Sequence, residues 1–249
     1  MTDVVRVTVA GSGDAFGTGG RLQTCLHVRR QAVPEALLID CGASALIGLK
    51  RFGLEPNDVG VVAVSHLHGD HFGGLPFLIL DGQFRRRSRP LHVIGPPGLT
   101  ARLRQAMEVF FPGSTKVERR FAVSVHELVP GSSPVRIDGF SIGGLLVDHP
   151  SGAPALALRV ETAGRTIAHS GDTTWTESLI EAADDADLFV CEAYTLDRPA
   201  RHHLHLPDLR ANADRLNCRR LLLTHAGPQV LAADQIEFDL ARDGMVIDL

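Results

Sequence analysis

The sequence predicts an α/β protein whose chemical groups gather at strand ends, and two observations carry that reading. Short apolar runs of strand length alternate with segments of helical pattern along the whole chain. Four of those runs then stop at a metal-capable residue: 61–64 leads to His66, 167–168 to His169 and Asp172, 188–190 to Glu192, and 221–223 to His225. Runs apolar on both faces are buried strands, and polar groups at their carboxyl ends are where α/β sheets carry chemistry.

In order, strands are expected over residues 4–10, 24–29 and 36–40, where valine, leucine and threonine recur; the last feeds Cys41-Gly42. Residues 43–52 read as a helix and 59–65 as a buried strand. Residues 73–84 are expected to be helical, followed by the basic loop Arg85-Arg86-Arg87-Ser88-Arg89. Residues 91–95 form another short strand, and 97–111 a helix with Pro97 near its first turn, where a missing N–H is tolerated. The second half repeats the style, with strands over 142–147, 155–161, 165–170, 188–192 and 220–225. Its helices are expected over 175–183, 207–216 and 228–238. No linker, low-complexity segment or short repeat interrupts the pattern, so residues 1–249 are expected to form a single domain.

A hydrophobic content of 44% and a charged content of 22% belong to a water-soluble globular protein. The start lacks a basic segment followed by an apolar one, and no apolar run reaches membrane-spanning length, so a cytoplasmic protein without membrane contact is expected. Cys25, Cys41, Cys191 and Cys218 form no CxxC pair and are read as reduced thiols. A net charge of -4 excludes a global pull towards polyanions, so a nucleic acid would need a local basic patch.

The richest segment is Ser65-His66-Leu67-His68-Gly69-Asp70-His71. Three imidazoles and one carboxylate within six positions make a metal site, with more ligands than one ion needs. His66 and His68 are two apart, so on an extended strand exit they point to one side. Asp70 and His71 follow where the chain turns and can address a second position. A neutral histidine at a strand exit needs its other nitrogen held by a carboxylate or a carbonyl, and Asp40 and Ser170 are among the candidates. Glu192 closes a buried run, where an unpaired carboxylate is costly, so it needs a partner. The glycine-rich stretches 11–13 and 17–20 match neither a Walker loop nor a dinucleotide fingerprint and read as tight loops beside the pocket. Residues 85–89 are read as a solvated loop, and His27, His92, His126 and His169 as structural.

Along the chain, Gly11-Ser12-Gly13-Asp14-Ala15-Phe16, the HxHxDH run 66–71, His149, Ser170-Gly171-Asp172-Thr173, Cys191-Glu192-Ala193-Tyr194 and Thr224-His225 resemble the metallo-β-lactamase superfamily. Within it the chain looks most like the ribonuclease Z branch, the tRNA 3′-processing endonucleases and their relatives. The resemblance implies an αββα sandwich: two mixed β-sheets packed face to face, with helices on the outer faces. It implies two zinc ions per chain, with manganese or iron(II) as alternatives. His66, His68 and His149 would hold one ion, Asp70, His71 and His225 the other, and Asp172 would bridge them. Asp70 would also direct the attacking water, and His203, oriented by Glu192, would serve the leaving group, with His202 and His205 as alternatives. Each residue has a plainer reading: His149 as a strand end, Asp172 as a helix N-cap, residues 201–205 as a solvated loop.

The resemblance also has limits. Several tRNA-processing relatives carry a long arm between the ligands matching His149 and Asp172, whereas only 22 residues separate them here. After His225 this chain reads Ala226-Gly227-Pro228 where the tRNA enzymes typically carry Phe-Ser. The expected function is therefore a dinuclear zinc phosphodiesterase of ribonuclease Z type, acting on RNA ends or on a smaller phosphodiester. A hydrolase of carboxylic esters, lactones or thioesters and a non-catalytic metal-binding protein are the alternatives. The resemblance further implies a homodimer.

Overall fold

Side chains that alternate between two apolar environments force a layered architecture, and a computed structural model describes the result over residues 4–249. The first half runs β1 (Val5–Gly11), β2 (Cys25–Arg30), β3 (Ala36–Ile39), α1 (Ala45–Arg51), β4 (Val59–Ala63), α2 (Gly69–Phe72) and α3 (Leu75–Phe84). It continues through β5 (Leu91–Gly95), α4 (Leu99–Phe110) and β6 (Val123–Glu127). The second half runs β7 (Val135–Ile137), β8 (Phe140–Val147), β9 (Ala155–Thr162), β10 (Arg165–His169), α5 (Ser178–Ala183) and β11 (Leu188–Glu192). It closes with α6 (Leu206–Asn212), β12 (Leu221–Thr224), α7 (Pro228–Ala232), β13 (Asp239–Leu240) and β14 (Val246–Asp248).

Two seven-stranded sheets result, ordered β14-β1-β2-β3-β4-β5-β6 and β13-β12-β11-β10-β9-β8-β7. In the first, β14 through β3 pair antiparallel and β3 through β6 parallel. The second repeats the scheme, antiparallel from β7 to β10 and parallel from β10 to β13. The expected two mixed sheets are therefore present.

Three apolar layers hold them. Leu37 and Ile39 of β3, Val61 and Ala63 of β4, and Leu188 and Val190 of β11 fill the space between the sheets. Leu38 and Val62 face outwards onto α1, α3 and α4, packing with Ala45, Leu75 and Leu103. Phe189 and Cys191 face the other way, among Leu179, Leu206 and Val230 of α5, α6 and α7. Each fully buried leucine or isoleucine contributes about 1.5–3 kcal/mol relative to exposure. Among the described residues no helix is long and apolar enough to cross a membrane.

Some elements differ from the sequence expectation. The helix expected over 228–238 stops at Ala232, because Ala233 is extended and the chain turns to lay β13 alongside β12. Strands β6, β7, β13 and β14 were not expected; the last two span two and three residues, too short to show a period. The basic loop is not simply solvated. Arg87 is buried and donates to the carbonyls of Val59 and Pro90, while Arg85 pairs with Glu55 and Arg89 with Glu35. All four cysteines are free thiols.

Candidate metal centre

The carboxyl ends of β3, β4, β10, β11 and β12 meet on one rim, and every proposed ligand except His149, which follows β8, sits just beyond them or in α2. The extended backbone of His68 precedes α2, so His66 and His68 leave β4 before the chain coils and carries Asp70 and His71 inwards. Two left-handed residues shape the rim: Asp40 at φ 58° after β3 and His225 at φ 54° after β12. Side chains other than glycine pay for that conformation, and such strain collects at functional sites. Gly171, at φ 59°, lets the chain pass Ser65, whose Cβ would lie 3.1 Å from an added methyl.

The predicted ligands fall into two donor groups. His66, His68 and His149 make one; Asp70, His71, Asp172 and His225, all buried, make the other, with donor atoms in each group within 4.8 Å of one another. Asp172 lies between them. Its Oδ1 is 3.2 Å from His71 Nε2, and its Oδ2 is 3.4 Å from His225 Nε2 and 3.9 Å from His66 Nε2.

The rings are held from behind. His71 Nδ1 donates to Asp40 Oδ2 at 2.7 Å, His66 Nδ1 meets Ser65 Oγ at 3.1 Å, and His149 Nδ1 donates to the His202 carbonyl at 2.8 Å. Their Nε2 atoms are thereby left facing inwards, while His68 presents Nδ1, 3.0 Å from His149 Nε2. His66 Nε2, His71 Nε2 and Asp172 Oδ1 are buried with no hydrogen-bond partner among the described residues. Orphaned buried polar atoms are costly, and a mixed imidazole and carboxylate set suits zinc, manganese or iron(II). The residues present fit divalent cations.

Charge leads to the same conclusion. Burial alone would lower His225, but Asp172, Asp70 and Glu192 outweigh it and hold the ring up to about 9. Burial likewise opposes a charged His71, yet Asp172, Asp70 and Asp40 raise it well above the ordinary histidine range. Four carboxylates, Asp40, Asp70, Asp172 and Glu192, around one pocket create a field that a cation satisfies.

A second constellation borders the first. Glu192 is fully buried at the end of β11; Oε1 takes His203 Nδ1 at 2.5 Å, and Oε2 accepts the amides of Thr173 at 2.9 Å and Leu204 at 3.1 Å. Burial and then Asp172 raise the Glu192 carboxyl; burial would lower His203, but its bond to Glu192 raises it. Of the three candidate histidines, His203 alone meets Glu192. His202 Nδ1 lies 3.6 Å from Asp148, and His205 bonds the Leu196 carbonyl at 2.9 Å. Tyr194 tilts against the His203 ring at 4.6 Å between centroids.

All nine predicted site residues thus converge. Between Asp40 and Ser170, Asp40 holds His71, while Ser170 Oγ donates to the Gly171 carbonyl and accepts the Glu192 amide. Sequence reasoning missed the Thr173 and Leu204 amides on Glu192 and the His202 carbonyl on His149, because backbone groups leave no residue signature.

The family model described as Anti-Pycsar protein Apyc1 matches residues 5–244. The chain belongs to this family. It is 28% identical over 294 residues to a ribonuclease Z of Haloferax volcanii, covering 96% of this chain and 90% of that one. Its fold is similar to that of the short form of human tRNase Z, with a TM-score of 0.79, 26% identity and 97% and 98% of the two chains covered. The metallo-β-lactamase fold protein YhfI of Bacillus subtilis superposes with a TM-score of 0.78 at 21% identity, covering 99% of each chain. This family member is thus a ribonuclease Z-like protein of the metallo-β-lactamase superfamily and a metal-dependent hydrolase.

Proposed function

We propose that the chain is a dinuclear zinc phosphodiesterase, working as one domain, whose substrate is a small phosphodiester rather than a folded tRNA. The pairing of buried Glu192 with half-buried His203 beside the two donor groups carries this reading. His66, His68 and His149 would hold one cation and Asp70, His71 and His225 the other, with Asp172 between them. When bound, such cations supply Lewis-acid charge to a phosphoryl oxygen and lower the pKa of water to near ~7.

The chain's own residues do the rest. Asp172 offers an oxygen to each donor group, which a single imidazole nitrogen cannot do. Asp70 Oδ2 sits 3.3 Å from His225 Nε2 and can accept a hydrogen bond from the attacking water, fixing its direction. His203 Nδ1 donates to Glu192, whose charge favours the imidazolium, and in that form Nε2–H can give its proton to the departing oxygen. The Thr173 and Leu204 amides keep Glu192 turned to His203. Expelling an alkoxide from phosphorus benefits from such a dedicated acid, which favours a phosphodiester substrate. The 22 residues between His149 and Asp172 hold only β9, β10 and their connections, which supports a substrate smaller than tRNA.

A substrate panel tests the reading: bis(p-nitrophenyl) phosphate, cyclic phosphodiesters, precursor tRNA, lactones and thioesters, each with and without chelator. Chelator-sensitive turnover of the first two is expected. Turnover of lactones or thioesters without any phosphodiester cleavage would sink it.

A further inference from the structure

Two of the clustered histidines, His71 and His66, lean on Asp40, and Asp40 in turn leans on a residue from the opposite sheet. Asp40 is completely buried and its left-handed backbone, φ 58°, aims the carboxylate sideways out of β3. Oδ1 accepts the Ser65 amide at 2.7 Å. Oδ2 accepts the Ser65 hydroxyl at 2.8 Å and His71 Nδ1 at 2.7 Å. Since the Ser65 hydroxyl gives its proton to Asp40, its lone pair is left for His66 Nδ1, 3.1 Å away. One carboxylate therefore orients a ring in each donor group, His71 directly and His66 through Ser65.

The remaining contact on Oδ2 comes from His169 Nε2, at 3.2 Å. His169 ends β10 in the second sheet and is 1% exposed; its Nδ1 bonds the Val190 carbonyl of β11 at 3.2 Å. The ring is thus fixed to its own sheet by one nitrogen and reaches across the sandwich with the other. His66, His68, Asp70 and His71 follow the first sheet, whereas His149, Asp172 and His225 follow the second. A bond across that seam sets how the two sets of donors face one another.

We propose that His169 is a positioning residue for the metal centre, holding Asp40 across the sheet interface so that His71 and His66 present Nε2 to the cations. This rests on the metal-centre reading above. Groups that orient ligating histidines typically change metal affinity by about 10–100-fold when lost.

Two substitutions separate the two ring nitrogens. His169→Asn keeps a donor near the Nδ1 position but is too short to reach Asp40, whereas His169→Gln places its amide near the Nε2 position. Zinc affinity of each purified protein is measured by competition with a chromophoric chelator, beside the melting temperature of the chelated forms. His169→Asn is expected to lose about tenfold or more in zinc affinity, and His169→Gln to stay within about threefold of the unsubstituted chain. Equal zinc affinity in His169→Asn and the unsubstituted chain overturns the inference while the metal centre stands. A loss as large in His169→Gln as in His169→Asn also overturns it, since that marks a packing role. An unsubstituted chain that holds no zinc overturns the metal centre and this inference together.

Discussion

At the scale of single residues, two carboxylates and one imidazole do separable work. Asp172→Ala removes the oxygen pair shared by both donor groups, and Asp70→Ala removes the neighbour of His225 and His71. Each is expected to cut phosphodiester turnover roughly a hundredfold or more while circular dichroism stays unchanged; near-normal rates in either would refute the mechanism. His203→Ala should depend on the leaving group. Loss of a general acid costs about 10²–10⁴-fold when an alkoxide departs, but far less for p-nitrophenolate, which needs no proton. Comparing the two substrate classes in that variant checks the assignment, and equal losses would contradict it.

His27 makes a different prediction. It is buried in β2, and burial with the nearby Arg29 pushes it down from 6.5 to about 4. The unfolded chain therefore takes up this proton first as pH falls. Stability from the neutral ring is complete above about 6.5 and is lost as pH drops to about 4, by roughly 3 kcal/mol. In urea melts between those limits, the chain should lose about 3 kcal/mol relative to His27→Leu as the solution is acidified. A constant gap would show that His27 does not titrate as described.

At the scale of elements, strands supply the position and the turns after them supply the chemistry. Donors cluster after β4, β10, β11 and β12 because parallel neighbours end on the same rim. Helices set the spacing behind the rim. Gly48 of α1 lies so close to β1 that an added methyl would sit 2.3 Å from the Ala10 carbonyl oxygen. Gly48→Ala should raise intrinsic helix propensity by about 1 kcal/mol and still lower the urea midpoint, because overpacking costs about 1–3 kcal/mol. A raised midpoint would mean that α1 shifts freely. The expected long helix after Gly227 shortened for a related reason: β13 must reach β12, and sheet pairing outweighs local helical preference.

At the scale of the whole molecule, the two sheets behave as two halves of one metal-binding clamp. Two carboxylates and five imidazoles crowd a small buried volume, where desolvation penalises charge left without a cation. Chelation should therefore lower the melting temperature by about 5–15 °C, the shift expected for a ligand held at 100–1,000 times its dissociation constant. Restored zinc should restore it, and an unchanged melting curve would count against a metal centre in this pocket.

Most of the α/β plan was legible in the sequence, since buried strands declare themselves through continuous apolar runs and the HxHxDH run packs its donors into six positions. Side-chain chemistry also announced Asp172, Glu192 and His225, each of which follows an apolar run. Only the tertiary structure decided which nitrogen of each ring turns inwards, that His203 rather than His202 or His205 meets Glu192, and that Asp40 rather than Ser170 holds His71. The reason is distance along the chain. Spacing dictates neighbours within one strand or helix, whereas Asp40 and His169 are 129 positions apart and meet only because two sheets close over a shared core.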